Sequence, residues 1–282
     1  MITLKGPIDR GEGKLVLELG DTRFEVTPAH GARVSSLQYG GQELLVLTGA
    51  ANFEDAVGST FWPSPQSWPW PPPAEIDSAP YAPNVEARGV ITLVGQPHEG
   101  TGLRVTKTFT ANLAREAIDL SYAMTNISQE PVSWAPWEIT RMPATGLAFW
   151  PTGTAPYGDQ PLATETAHGQ TWCAPSKTSG EGKIFADGTG GYLAYAVGSH
   201  ILIKHFADTP PSQAAPGEAE IELYVNADHS YFEVENQGAY ASIAPGATVT
   251  WRVTWYARRL PPGVSAAAPH ADLVAFVAKT LQ

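Results

Sequence analysis

The residues best placed to do chemistry lie in the stretch from Tyr231 to Arg259, YFEVENQGAYASIAPGATVTWRVTWYARR. Tyr231, Glu233 and Glu235 alternate there with Phe232 and Val234. A strand sends alternate residues to opposite faces, so a phenol and two carboxylates share one face, with ~6.5–7 Å between the two Cα atoms. A carboxylate pair beside an aromatic ring suits moving a proton to and from a hydroxyl group. The plainer alternative is the wet face of an edge strand. The whole stretch reads as two strands joined by a turn at Ala244-Pro245-Gly246.

Further candidates lie upstream. The segment FWPSPQSWPWPPP, residues 61–73, carries Trp62, Trp68, Trp70 and Gln66. Proline has no N–H for a ladder, so the segment reads as an ordered extended loop rather than a central strand. Its indoles are either a lid over a core edge or a platform for the C–H face of a sugar. The run VSWAPWEIT, residues 132–140, adds Trp137 and Glu138, with Arg141 just beyond it. Its Pro136 argues for an edge or a bulge. His205 alternates with Ile201 and Ile203, as a core histidine or a proton donor would. Lys107 shares a face with Leu103, Val105 and Phe109, which predicts a snorkelling lysine or a ligand contact.

Other chemistries are disfavoured. The net charge is −11, which argues against nucleic acid and anionic membrane surfaces and fits a neutral ligand. No glycine-rich phosphate loop and no GxSxG elbow is present, so no cofactor is expected. The seven histidines have no metal-ligand spacing, although a Ca²⁺ ion held by scattered oxygens leaves no compact motif. The lone Cys173 permits no internal disulfide and reads as a small buried hydrophobe. No signal-peptide pattern or transmembrane-length apolar run is visible, so a cytoplasmic protein is expected. No pattern fixes an oligomeric state.

These residues need a scaffold, and the chain reads as all-β. It has 27 glycines and 25 prolines, many short alternating runs, and enough hydrophobic residues (43%) for a large core. A hairpin is expected over 15–26 across Gly20-Asp21, then an irregular strand and a short one over 43–47. Strands follow at 89–94, 103–110, 117–126 and 132–140. Residues 151–191 read as mostly loop. Strands at 192–197, 200–206 and 221–225 lead back to the opening stretch. Leu273, Phe276, Val277 and Leu281 recur at helical spacing, which predicts a C-terminal helix over 269–281. With no linker or repeat, residues 1–282 are expected to form one domain.

Three runs carry a family resemblance. HGARVSSLQYGGQELL resembles the opening of aldose 1-epimerase (galactose mutarotase-like) proteins. IDLSYAMTNISQEPV is similar to their strand–turn–strand, and EVENQGAYASIAPGATVTW to their closing "E-x-Q … P-G" segment. The runs occur in the family's order and cover most of the chain, while FWPSPQSWPWPPP looks like a separate branch. The resemblance implies a β-supersandwich of large antiparallel sheets with a sugar site. It places the general base on Glu235, while the family's acid histidine falls near Ala135 and is absent. Either Glu138 or His205 then donates the proton, or the protein does not epimerise sugars. The expectation is a carbohydrate-binding protein, with epimerisation at the anomeric carbon as its enzymatic form. Glu235, Glu138 and His205 are the catalytic candidates. Trp62, Gln66, Trp68, Trp70, Trp137, Arg141 and Glu233 are the sugar-contact candidates. The alternative is a non-catalytic sugar-binding or protein-interaction module on the same fold.

Overall fold

The structure is a computed structural model that describes residues 4–9, 13–49, 54–84, 89–160 and 162–282. Two antiparallel sheets dominate it, of 12 and 10 strands among the described residues. The first sheet runs from Leu4–Asp9 at one side, through Leu15–Leu19, Thr22–Thr27 and Arg33–Tyr39, into a central group. That group is Ser59–Ser64, Val132–Met142, Phe232–Gln237, Ile221–Val225, Gly182–Ala186 and Tyr157–Gln160, in spatial order. The second sheet centres on His200–Phe206, Thr248–Arg259, Ala117–Asn126 and Leu103–Asn112.

The alternation in these strands explains how the sheets pack. Phe24, Phe61, Phe232 and Val234 of the first sheet share one apolar core with Phe109, Leu120, Tyr122 and Trp255 of the second. Rings meet across the interface, Phe24 with Trp255 at 6.0 Å and Phe61 with Tyr122 at 4.6 Å between centroids. This is the expected architecture of large stacked antiparallel sheets. The predicted C-terminal helix is present as Ala271–Leu281, and its Leu273 and Val277 pack with Ile201, Ile203 and Tyr256 of the second sheet.

Several local expectations are corrected. Ser59–Ser64 is a central strand despite Pro63, and Val132–Met142 is central despite Pro136. The register places the two prolines opposite each other. The Pro136 carbonyl accepts from Gly238 N–H, so that residue's hydrogen-bonding edge faces away from Pro63. Pro63 then also faces away from Pro136, towards a side where strand pairing ends at Ser59 and where Trp68 Nε1 donates to its carbonyl. Neither missing N–H interrupts a ladder bond between the two strands.

The strand expected over 43–47 stops at Glu43, because the Glu43 carboxylate accepts the N–H groups of Leu37, Leu44 and Leu45. Residues 151–191, read as mostly loop, carry four short strands among the described residues, Tyr157–Gln160, Thr164–Ala167, Gln170–Cys173 and Gly182–Ala186. Phe232–Gln237 and Thr248–Arg259 lie in different sheets and are separated by the short strand Ala241–Ile243. Lys107 does not snorkel: it is buried, donates to the Gly31 carbonyl at 2.6 Å, and burial pulls its pKa down to about 7.

Candidate functional site

Phe232–Gln237 builds the site by its alternation. Phe232 and Val234 enter the core, while Tyr231, Glu233 and Glu235 face the other way. That outward face is not wet, because the strand is central and Glu235 is 0% exposed. Neighbouring strands complete two cross-strand rows on it. Arg141, Glu233, Tyr224 and Lys183 stand side by side in one row; Ile139, Glu235, Glu222, Phe185 and Tyr157 form the next. Directly opposed side chains in such rows interact.

The ion pairs follow from this register. Arg141 Nε donates to Glu233 at 2.9 Å. Lys183 Nζ lies 2.7 Å from Glu222 and 3.4 Å from Glu235. Trp137 Nε1 donates to Glu235 at 2.7 Å. Burial pushes the Glu233 carboxyl up to about 7; Arg141 opposes the shift and the Glu235 charge adds to it. Burial likewise raises Glu222, against the pull of Lys183. For Lys183, burial opposes the charge, but Glu235 and Glu222 outweigh it and raise its pKa.

The indoles form the opposite wall. Trp62 Nε1 donates to Asp77 at 2.8 Å, and Asp77 is also held by Thr60 and by Arg33. Burial opposes the Asp77 charge, but Arg33, Trp62 and Thr60 overcome it and keep the carboxyl below its usual range. Trp62 meets Trp137 edge-on at 5.3 Å and Trp70 at 6.0 Å. The Arg141 guanidinium sits 5.6 Å over the Trp62 ring, and Lys183 Nζ 5.1 Å over Trp137.

Between these walls lies a cleft of about 400 Å³, lined by Trp62, Gln66, Trp70, Trp137, Arg141 and Glu233 among the expected residues. Lys183, Glu181, Tyr224 and Tyr231 complete its lining. Glu235 lies beneath this surface, holding Trp137 and Lys183. Trp68 is buried against Trp62, with its N–H spent on Pro63.

The structure does not bring Glu138 or His205 to the cleft. Glu138 points into the space between the sheets, where it accepts from Tyr122 and Trp255 and pairs with Lys204 at 2.9 Å. His205 lies on the second sheet, in a larger hollow of about 750 Å³ with Asp119, Arg115 and Arg252. There Asp119 is already bonded by Asn112 and Thr254. Among the described residues, no group of three or more His, Cys, Asp or Glu side chains is gathered to hold a metal, and no helix is long and apolar enough to cross a membrane.

Sequence reasoning missed Lys183 and Glu222. The signal available was weak: GKIFA and IELYV alternate like any other strand, and only their pairing with Glu235 gives the polar positions meaning.

The fold is that of the galactose mutarotase-like proteins. A putative aldose 1-epimerase from Escherichia coli K12 is 13% identical with a TM-score of 0.59, over 92% of this chain and 100% of that one. A galactose mutarotase-like protein from Lactobacillus casei is 12% identical with a TM-score of 0.61, over 87% and 100%. A TPR-domain containing protein from Parabacteroides distasonis, 13% identical with a TM-score of 0.62, matches 96% of this chain, which spans 55% of that longer protein. No curated protein sequence matches the chain. Residues 64–258, which include every residue lining the cleft except Trp62, match the model of a domain of unknown function, DUF4380, and the chain belongs to that family.

Proposed function

We propose that the cleft binds a carbohydrate. The observation that carries this reading is the meeting of indole rings and polar groups in one hollow of about 400 Å³, with Trp62, Trp70 and Trp137 beside Gln66, Arg141, Lys183 and Glu233. An aromatic ring takes the C–H face of a sugar, and fixed donors and acceptors take its hydroxyls. Arg141 and Lys183 are each matched by carboxylates, which suits a neutral ligand. The fold shared with one protein described as a putative aldose 1-epimerase and another described as galactose mutarotase-like supports the same class of ligand.

A second reading, epimerisation at the anomeric carbon, is favoured by Glu233. It lines the cleft, and a carboxyl raised to about 7 is matched to proton transfer at neutral pH. Glu235, the base implied by the family resemblance, stands behind it as the anchor of Trp137 and Lys183. Binding is the better supported reading because no histidine is among the described residues that line the cleft to act as the acid partner of Glu233. The pKa of Lys183 is raised, and burial pushes Tyr231 up to about 12.

Tryptophan emission titrated with a panel of neutral sugars tests binding, and exchange NMR on fresh α-glucose and α-galactose tests epimerisation. A panel that leaves the emission unchanged refutes binding. Accelerated anomer exchange that Glu233→Gln abolishes would promote the enzymatic reading.

A further inference from the structure

Among the described residues, four large apolar side chains are exposed: Leu47, Trp70, Leu113 and Tyr157. Only two of these are aromatic, and both stand at the margins of the cleft. Trp70, 54% exposed, lines it directly beside Trp62. Tyr157, 51% exposed, stacks on Phe185 with centroids 5.5 Å apart and planes inclined by 20°.

The Phe185–Tyr157 pair belongs to the same face as the cleft. Lys183 and Phe185 are two residues apart on one strand, so they point the same way. Lys183 Nζ, which lines the cleft, lies 5.1 Å from the Trp137 ring and 5.3 Å from the Phe185 ring. Glu218 ties the two parts together: its carboxylate accepts from the Gln66 backbone N–H at 3.2 Å, and its carbonyl accepts from the Tyr157 hydroxyl at 3.3 Å. Trp70, Trp62, Trp137, Lys183, Phe185 and Tyr157 therefore follow one another, successive members lying 5.1–6.0 Å apart.

The sheet order gives this row its scale. Trp62 stands on Ser59–Ser64 and Tyr157 opens Tyr157–Gln160, with four strands between them. Five inter-strand spacings correspond to roughly 24 Å of sheet, several times the width of one sugar ring. The middle of the row offers little open ring, since Trp62 is 4% and Trp137 3% exposed. Open ring faces are found at its two ends.

We infer that the ligand is an oligosaccharide, with one sugar unit in the central cleft and further units stacking on Trp70 at one margin and on Tyr157 at the other. This rests on the carbohydrate reading above and names its ligand class. A lone monosaccharide in the cleft gives Tyr157 no role; a chain of sugars uses both exposed rings.

Calorimetric titration of the full chain with glucose, galactose, maltotriose, cellotriose and β-1,4-galactotriose tests the inference, on the wild type, Trp70→Ala and Tyr157→Ala. Both side chains are exposed, so neither variant opens a core cavity. At least one trisaccharide is expected to bind more tightly than its monomer. Tyr157→Ala is expected to weaken that trisaccharide about fivefold, the size of one stacking contact, and to leave the monomer unchanged. Trp70→Ala is expected to weaken the trisaccharide by a similar factor. Trisaccharides that bind no tighter than their monomers, or are indifferent to Tyr157→Ala, overturn the inference while the carbohydrate reading stands. If no sugar of either length binds, both fall.

Discussion

Lys183→Met removes the cation that Glu222 and Glu235 share. Both carboxylates are fully buried, and Lys183 Nζ lies 2.7 Å from one and 3.4 Å from the other. Methionine keeps most of the side-chain volume, so the perturbation is electrostatic. Breaking a buried ion pair on one side costs about 3–5 kcal/mol, because it leaves buried charge uncompensated. The cost depends on pH in a definite direction. Burial already raises Glu222, and Lys183 opposes that shift. Without the lysine, the folded-state pKa of Glu222 lies further above the unfolded value of about 4.3. The folded chain then keeps protons that the unfolded chain has released. Stability is therefore intact below the unfolded pKa and is lost as pH rises through the raised Glu222 value. Urea unfolding should show the variant weaker than wild type by about 3–5 kcal/mol at pH 8. The deficit should shrink to about 1–2 kcal/mol at pH 5, where neutral carboxyls still lack a donor. A deficit equal at both pH values, or below about 1 kcal/mol at pH 8, would refute the reasoning.

Other outcomes follow from the same geometry. Trp137→Phe keeps a ring but removes the N–H that Glu235 accepts at 2.7 Å, and should cost about 1–3 kcal/mol in urea unfolding. Glu233, raised to about 7, contributes stability that is present below the unfolded carboxylate pKa and lost as pH rises through about 7; Glu233→Gln should flatten that decline between pH 5 and 8. Phe61→Ala removes the ring stacked at 4.6 Å on Tyr122 and should lower stability by about 3–5 kcal/mol. His205→Ala should leave every sugar affinity unchanged, because His205 lies on the second sheet with Arg115 and Arg252; a loss of affinity on calorimetric titration would contradict that placement.

Much of the scaffold was legible because it obeys one rule at a time. The alternation in Ala117–Asn126, the hairpin across Gly20-Asp21 and the apolar spacing of Ala271–Leu281 each need only local sequence. The outward side of Glu233 and Glu235 was legible for the same reason. Only the first four residues of the Trp-Pro segment, 61–64, were misread, because the cost of a proline in a sheet depends on which edge its nitrogen faces, and that edge is set by the partner strand; residues 65–73 are loop as expected. Lys183 and Glu222 were missed because their meaning comes from register with Glu235, about 50 and 13 residues away in sequence. Glu138 was assigned to the candidate site for its chemistry, but strand parity turns it inward to Tyr122, Trp255 and Lys204, whereas Trp137 and Arg141 face the cleft.

The most direct measurement of the central claim is a crystal structure of the protein with the tightest-binding saccharide of the panel. The expected result is a sugar ring packed against the Trp62–Trp70 wall, with hydroxyl groups within hydrogen-bonding distance of Glu233 and Arg141. A saccharide seated instead in the hollow of the second sheet beside His205 and Arg252, or anywhere outside the cleft, would contradict it.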